Sequence, residues 1–374
     1  MQMVYIFKTT RRTKVPTLFA LRCGQCWFRE QTTYYCIAWH TRILLSSGQQ
    51  MESTSPTYEE SLRQEFGFLP KDYVETEIGE VFAVVAEGLD EGRVLCQLRY
   101  LPATNSVGHS GLLKQTTQAA LDYIRSVKPE YEFYSKQRDS SIHGVPPEEV
   151  FRHWKPSEFF RAERKADAIA GTACRIADTF LALNPTLEIG VTGSALLGVA
   201  KEDSDLDLTV YGLDGFRSAR LLAQEHTQQG RWSLPSDAQM QAAYDRRGCT
   251  LSFEEYAWHE RRKWNKFVVG DTLLDLTCVE KSSEIANASG VKIGRAEIQA
   301  EVADATRSFC HPAEYRVEHS RVSHVLSFTP TYAGQAEPGE RIEAKGILEE
   351  TTAGVRLVIG TTREAKGQLI RVVG

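Results

Sequence analysis

The sequence lacks any apolar run long enough to cross a membrane. Its longest apolar runs, such as VFAVVA and LLDLTCV, fall far short of the roughly 20 residues that a bilayer-spanning helix needs. It also lacks an excess of basic charge, because its 374 residues carry a formal net charge of -5. This charge excludes a global positive field that attracts nucleic acids, so any such contact needs a local patch. We therefore expect a soluble globular protein that does not bind membranes.

Cysteine is sparse after residue 50. Five cysteines are scattered through apolar segments, namely Cys96, Cys174, Cys249, Cys278 and Cys310. Isolated cysteines in apolar surroundings are typical of buried thiols in a reducing compartment. The sequence therefore predicts a cytoplasmic location.

The first fifty residues differ from the rest, because they are basic, aromatic and poor in acidic residues. Cys23, Cys26, Cys36 and His40 have a spacing that could hold zinc. The flanking sequence lacks the turn glycines and regular strands of a small metal domain, and the stretch after Met51 is typical of a natural N-terminus. We therefore expect a disordered tail or a mis-assigned start over residues 1–50.

A chain of this length usually contains more than one hydrophobic core. We expect an α+β, multidomain protein with a small α+β unit over residues 51–160, a middle α/β domain with a mixed sheet over residues 161–288, and a small β-barrel over residues 289–374. In the first unit, residues 71–102 predict a long antiparallel hairpin, and the pieces GVPPEEVFRHW and KPSEFFRAERK predict short helices. The closely spaced strands after residue 289 are similar to those of oligonucleotide/oligosaccharide-binding barrels.

Two carboxylates lie on one face of a predicted strand in the segment DLDLTVYG. Asp205 and Asp207 alternate with Leu206 and Leu208, so the aspartates point to one side of the strand and the leucines to the other. Two ionised carboxylates at this short distance repel each other. The repulsion is relieved when a cation neutralises them or when one of them takes a proton. A hard, oxygen-seeking ion resolves this conflict. The pair therefore predicts a site for Mg²⁺ or Mn²⁺.

A third carboxylate stands in the apolar run LLDLTCV. Asp275 points away from Leu274 and Leu276 on a predicted strand. If this strand pairs beside DLDLTV, three carboxylates meet on one sheet face, an arrangement that suits two metal ions in phosphoryl transfer. Asp271, in the predicted turn before this strand, is the alternative third ligand.

A glycine-serine pair precedes the aspartates. Gly193 and Ser194 open a predicted helix over residues 195–200, where a glycine lets the backbone approach a ligand and the free N–H groups attract phosphates. Ser194 can add a hydroxyl and cap the helix. These features predict phosphate binding beside the metal site.

The stretch TGSALLGVAKEDSDLDLTV resembles the signature of the polymerase-beta-type nucleotidyltransferase superfamily. This resemblance implies transfer of a nucleoside monophosphate from a nucleoside triphosphate, such as ATP, to an acceptor hydroxyl with release of pyrophosphate. It implies that Gly193 and Ser194 bind the triphosphate and that Asp205 and Asp207 bind the metals. Asp275 is then the general base for the acceptor hydroxyl and a ligand of the catalytic metal.

The flanking regions resemble a group of uncharacterised predicted nucleotidyltransferases, so the acceptor can be RNA, a protein or a small molecule. The motif GSALLG lacks the arginine that many minimal members carry, and Lys201, Lys263 and Lys266 are candidates for the missing cation. The histidines His226, His259 and His311 have no close metal-type partners, and we expect them to be core or surface residues.

Three other interpretations follow from the same residues. Asp203, Asp205, Asp207 and Asp214 fit a calcium loop, but Leu208 stands where that loop needs glycine. A nucleotide- or RNA-binding regulator could keep the fold without turnover. An antitoxin-like enzyme could nucleotidylate a partner protein.

Overall fold

The chain folds around three β-sheets and eight α-helices in the part that the structure describes. This structure is a computed structural model that describes residues 56–103, 111–136, 138–161, 168–201, 204–360 and 366–374. The tail and the zinc-type spacing predicted within residues 1–50 lie outside the described residues, as does Asp203. The predicted α+β class is confirmed, while the three domain boundaries stay predictions.

Helices and strands are numbered in chain order. The helices are α1 Tyr58–Phe66, α2 Thr117–Val127, α3 Ala168–Leu183, α4 Gly193–Leu196, α5 Leu213–Gln228, α6 Asp237–Arg247, α7 Phe253–Lys263 and α8 Glu284–Asn287. The strands are β1 Tyr73–Thr76, β2 Val81–Val84, β3 Val94–Pro102, β4 Leu112–Lys114, β5 Glu132–Ser135, β6 Ser140–Val145, β7 Val150–Trp154, β8 Ile189–Val191, β9 Leu206–Tyr211, β10 Lys266–Val269, β11 Thr272–Val279, β12 Gly290–Asp304, β13 Ala313–Glu318, β14 His324–Ser327, β15 Arg341–Thr351, β16 Gly354–Ile359 and β17 Leu369–Val372. None of these helices combines the length and the apolar character that a membrane crossing requires.

The first sheet is antiparallel and has the order β5-β6-β3-β2-β1-β7, with β4 paired to β3. The predicted hairpin over residues 71–102 is a three-stranded meander, because hydrogen bonds between Thr76 and Glu80 close an extra turn between β1 and β2. The two predicted proline-led helices are also wrong. Their prolines start only the short 3₁₀ turns Pro147–Glu149 and Pro156–Glu158, and the residues between these turns form β7, which pairs with β1.

The second sheet is mixed, as predicted, with the order β10-β11-β9-β8. Strands β9 and β11 are parallel, and both other pairs are antiparallel. One hydrophobic core joins this sheet to α3 and α5, and it also includes Tyr73, Tyr100 and Trp154 from the first sheet. The first two sheets therefore share a core, which brings one end of the first sheet next to the aspartate motif.

The third sheet forms a cycle of pairings. Strand β12 pairs with both β13 and β15, β13 pairs with β14, β14 pairs in parallel with β16, and β16 pairs with β15. Strand β17, which the sequence pattern does not predict, adds to β15. Tyr315, Tyr332 and Leu357 lie in the core of this cycle, and Tyr256 of α7 packs against them.

Gly190 in β8 packs tightly against the 3₁₀ turn Pro156–Glu158, which follows β7 of the first sheet. A Cβ at this position would lie 2.5 Å from the carbonyl carbon of Pro156 and 2.7 Å from the amide nitrogen of Ser157. Both neighbours are backbone and cannot rotate away. We therefore expect Gly190→Ala to lower the free energy of unfolding by about 1–3 kcal/mol, the usual cost of overpacking, in denaturant unfolding.

The matched control is Gly171→Ala in α3. A Cβ there has only Arg175 Nη1 nearby, at 3.6 Å, and alanine in a helix is more favourable than glycine by roughly 0.5–1 kcal/mol. The control is expected to be at least as stable as the wild type. Equal stability of the two variants would contradict the close approach at Gly190.

Candidate functional site

Two of the three predicted carboxylates stand side by side. Strands β9 and β11 are parallel neighbours, and Asp207 is directly opposite Asp275 in their register. Asp205 lies just before β9 at an exposed position. Asp271 lies in the exposed turn between β10 and β11 and has no partner in β9. The register therefore places Asp275, and not Asp271, next to Asp207.

The Asp207 carboxylate lies in surroundings that disfavour its charged form. Burial, together with the negative charges of Asp275 and Asp205, raises the pKa of Asp207 from 3.8 to about 7. Lys71 and Lys114 act against this shift. A site of this kind gains stability when positive charge arrives close to the carboxylates.

At Asp275, nearby positive charges offset part of the effect of burial on the pKa. Burial raises the pKa of Asp275, while the charges of Lys266 and Arg247 oppose the shift. Asn265 Nδ2 donates a hydrogen bond of 3.1 Å to Asp275 Oδ1. This bond fixes the orientation of the carboxyl group and leaves its second oxygen available to a ligand.

Gly193 makes room for the Asp207 carboxylate. It adopts a φ of 70°, and a Cβ at this position would lie well inside van der Waals contact with Asp207 Oδ2. The amide of the preceding residue, Thr192, donates a 3.0 Å hydrogen bond to the Asp207 carbonyl. The glycine turn and the aspartate strand are thus held against each other by backbone contacts.

Gly193→Ala is expected to abolish the activity of this site, because the new methyl group displaces the Asp207 carboxylate. Gly198→Ala is its matched control: Gly198 has nearly the same φ, 71°, but a Cβ there meets no atom within 4 Å. Both variants carry the strain of a left-handed alanine, of order 1–2 kcal/mol. Thermal unfolding should therefore shift similarly in both, and an equal loss of activity in Gly198→Ala would contradict a specific role for Gly193.

Helix α4 is shorter than predicted and comprises a single turn. Ser194 is its second residue and therefore cannot be the N-cap, so the capping role predicted for it is wrong. Thr192 occupies the N-cap position, but its hydroxyl donates to the carbonyl of Lys71 at 2.7 Å instead of capping the helix. A single turn has little dipole, so any attraction for phosphates here comes from individual N–H groups.

A cavity of about 360 Å³ lies next to Asp207, where the three sheets meet. Gly193 and Asp207 line this cavity, together with residues of the first sheet and of the segments around β14 and β16. The first sheet and the segment before it contribute two cationic side chains, Lys71 and Arg99, and the third sheet contributes the Phe328 ring. The cavity lining thus combines the Asp207 carboxylate with the cations Lys71 and Arg99.

A family model described as "Nucleotidyltransferase domain" matches residues 173–247, a range that includes Gly193, Ser194, Asp205 and Asp207. The uncharacterized protein MJ1086 of Methanocaldococcus jannaschii is 30% identical to this chain over 333 residues, which are 81% of this chain and 98% of that protein. The chain belongs to the nucleotidyltransferase superfamily and to the family of MJ1086. No solved structure matches it significantly.

The lysines predicted as the missing cation of the nucleotidyltransferase domain do not line the cavity. Lys263 is buried and donates to Glu260 Oε1 at 2.6 Å and to the carbonyl of Thr331 at 2.8 Å. Lys266 pairs with the same glutamate, and Lys201 is exposed. None of these three lysines lines the cavity.

Lys71 and Arg99, which do line the cavity, were missed by the sequence analysis. They precede the Gly-Ser motif by more than ninety residues and belong to no recognisable pattern. Only the docking of the first sheet against the nucleotidyltransferase domain brings them to the site. The positive φ of Lys71 is likewise a property of the folded chain that its sequence does not reveal.

The three histidines singled out in the sequence behave as packing residues. His226 and His259 are buried, and burial lowers the pKa of His259 to about 4. His311 lines the cavity against the Phe328 ring, with ring centroids 5.8 Å apart, and burial lowers its pKa to about 3. At neutral pH these rings are uncharged.

In the described ranges, no three His, Cys, Asp or Glu side chains are gathered closely enough to hold a metal ion by themselves. The donor chemistry nevertheless fits a hard cation, because two carboxylates in register repel each other at the edge of a cavity. Mg²⁺ usually keeps several waters and binds through one or two carboxylates plus substrate phosphates. A site that is completed by a triphosphate therefore suits this arrangement.

Proposed function

We propose that this protein is a metal-dependent nucleotidyltransferase that moves a nucleoside monophosphate from a nucleoside triphosphate to an acceptor hydroxyl and releases pyrophosphate. The observation that carries the proposal is the register of Asp207 with Asp275 beside Gly193. The family match and the cavity next to these residues support it.

Asp207 and Asp275, together with Asp205, are the residues that would hold Mg²⁺ or Mn²⁺. Bound divalent ions supply neutralisation of the charge that develops on the attacking and leaving oxygens. Burial and the repulsion from Asp275 and Asp205, which together raise the pKa of Asp207, support this preference. Asp205 is exposed and lies in the loop before β9, so its side chain would reach the metal from that loop.

The chain's own groups position the reactants. Backbone N–H groups at Gly193 and Ser194 bind the triphosphate, and the three-sided cavity orders it and limits water. Asp275 accepts the proton of the acceptor hydroxyl, since its raised pKa makes it a better base than an ordinary carboxylate. Asn265 holds Asp275 in orientation during this transfer.

We also propose that β12 to β16 form the small barrel predicted from the sequence. The cycle of pairings, which runs through five strands and returns to β12, supports this assignment. Small barrels of the oligonucleotide/oligosaccharide-binding type bind ligands on one strand face and its loops. The segments around β14 and β16 that reach the cavity are therefore the proposed acceptor side, and a nucleic acid is one candidate acceptor.

The function is tested by α-phosphate label transfer. The wild-type protein is incubated with each of the four α-labelled nucleoside triphosphates, with Mg²⁺ or Mn²⁺, and with separate fractions of RNA, protein and small molecules. Label transfer and pyrophosphate release that stop on addition of EDTA are expected, and the labelled fraction identifies the acceptor class. Metal-dependent triphosphate binding without pyrophosphate release would instead favour the nucleotide-binding regulator.

A further inference from the structure

Lys71 has a backbone conformation that lysine rarely adopts. Its φ is 78°, in the left-handed region. This backbone conformation costs a non-glycine residue of order 1–3 kcal/mol, and it persists only where the surrounding structure holds it in place. A glycine would hold this turn without strain. The presence of lysine here indicates that its side chain has a use that offsets the strain.

The residue after it is anchored in the core. The Asp72 carboxylate is fully buried and accepts hydrogen bonds of 2.8 and 3.0 Å from Arg63 and of 3.0 Å from the Leu69 amide. His153 Nε2 lies 2.7 Å from the same carboxylate. This anchor fixes the backbone at residue 71 and holds it in the strained conformation.

The same backbone is tied directly to the glycine turn. The carbonyl of Lys71 accepts the hydroxyl hydrogen bond of Thr192, the residue that precedes Gly193 and whose amide contacts Asp207. The position of Lys71 relative to the carboxylates is therefore set by two hydrogen bonds in series.

The Lys71 side chain faces the cavity beside Arg99. Its charge acts against the raised pKa of both Asp207 and Asp275. Within the described ranges, neither Lys71 nor Arg99 forms an ion pair with a carboxylate. Two unpaired cations thus line the same cavity as Asp207, whose register partner is Asp275, and this arrangement suits an anion held together with a metal ion.

We propose that Lys71 and Arg99 bind the terminal phosphates of the nucleoside triphosphate and supply the positive charge that the motif GSALLG lacks. The inference rests on the proposed function, because it assigns residues to the same substrate. It also gives residues 56–161 a role: the first sheet completes the triphosphate site. During transfer, the bond between the α-phosphorus and the bridging oxygen breaks, and the electron pair leaves on pyrophosphate, whose charge these cations stabilise.

The decisive variant is Lys71→Gly, because glycine relieves the strain of the left-handed backbone conformation while the substitution removes the cation. The variant is expected to unfold at the same or a higher temperature than the wild type. Its affinity for inorganic tripolyphosphate, measured calorimetrically with Mg²⁺, is expected to fall about tenfold or more, the worth of one charged hydrogen bond. Arg99→Ala is expected to lower the affinity similarly, and Lys71→Arg to keep most of it.

Lys136→Ala is the matched control. Lys136 belongs to the same part of the chain and pairs with Glu91 at 2.8 Å, far from the cavity lining. Its tripolyphosphate affinity should equal that of the wild type, which shows that net charge alone does not explain the loss. Tripolyphosphate affinity that is unchanged in Lys71→Gly, or absent in the wild type, would overturn the inference.

The test separates this inference from the proposed function. If tripolyphosphate binding depends on Lys71 but no triphosphate releases pyrophosphate, the phosphate site stands and the transferase proposal fails. If pyrophosphate release persists in Lys71→Gly with an unchanged KM for the triphosphate, the transferase proposal stands and the role of Lys71 fails. An increase in KM with kcat little changed supports ground-state binding of the phosphates by Lys71.

Discussion

Asp207→Asn is expected to abolish nucleotidyl transfer and, at the same time, to make the metal-free protein more stable at neutral pH. Loss of the carboxylate removes a group on which charge neutralisation at the transferring phosphate depends, so the rate should fall by about 100-fold or more. The amide is nearly isosteric and carries no charge, so it no longer repels Asp275. Pyrophosphate release and thermal unfolding in EDTA measure the two effects.

The sign of the stability effect follows from the pKa of Asp207. Folding raises it from 3.8 to about 7, so between these values the folded state binds more protons than the unfolded state. The free energy of unfolding of the wild type therefore falls as pH rises from about 4 to about 7. The variant lacks this contribution and should be more stable than the wild type above pH 7 by about 1 kcal/mol or more.

Mg²⁺ should reverse the order of stability, because it binds the wild-type carboxylates and not the amide. Asp271→Asn, in the exposed turn, is the control and should match the wild type in activity and stability. Retention of full activity in Asp207→Asn, or a lower stability than the wild type in EDTA at pH 8, would contradict the electrostatic description of the site.

Glu260→Ala is expected to destabilise the protein by about 3–5 kcal/mol, the usual cost of removing one partner from a buried ion pair. Burial alone would raise the pKa of Glu260, but the charges of Lys263 and Lys266 lower it well below its usual range. Burial lowers the pKa of Lys263 to about 8, against the attraction of Glu260. Without Glu260, both lysines are left in the protein without their carboxylate partner.

Denaturant unfolding at pH 7 measures this loss. Glu254→Ala, at an exposed position in the first turn of α7, is the control and should change the free energy of unfolding by no more than about 0.5 kcal/mol. Because Lys266 also lies opposite Asp275 in the β10–β11 register, the glutamate variant should lose activity as well as stability. A destabilisation below about 1 kcal/mol would show that the buried charges do not depend on Glu260.

The sequence was most informative where the signal is local. Asp205, Asp207, Gly193 and Ser194 fall within fifteen residues, and their spacing alone indicates a phosphate and metal site. The α7 N-cap is equally local, because Ser252 and Glu255, three residues apart, form a capping box. The turn between β10 and β11 also lies where the sequence predicts it, at residues 270–271.

Long-range features could not be predicted in the same way. The register that sets Asp275 opposite Asp207 depends on parallel pairing across nearly seventy residues, so the sequence left Asp271 as an alternative. The cations Lys71 and Arg99 reach the site only through packing between sheets. The capping role of Ser194 was wrong because the helix begins two residues earlier than expected, at Gly193.

The most direct test of the central claim compares Asp275→Asn with Asp271→Asn in pyrophosphate release from the preferred triphosphate. The two aspartates are four residues apart, but only Asp275 is in register with Asp207. Asp275→Asn is expected to slow pyrophosphate release by about 100-fold or more, while Asp271→Asn retains the wild-type rate. Wild-type release by Asp275→Asn, or loss of release in Asp271→Asn alone, would contradict the account.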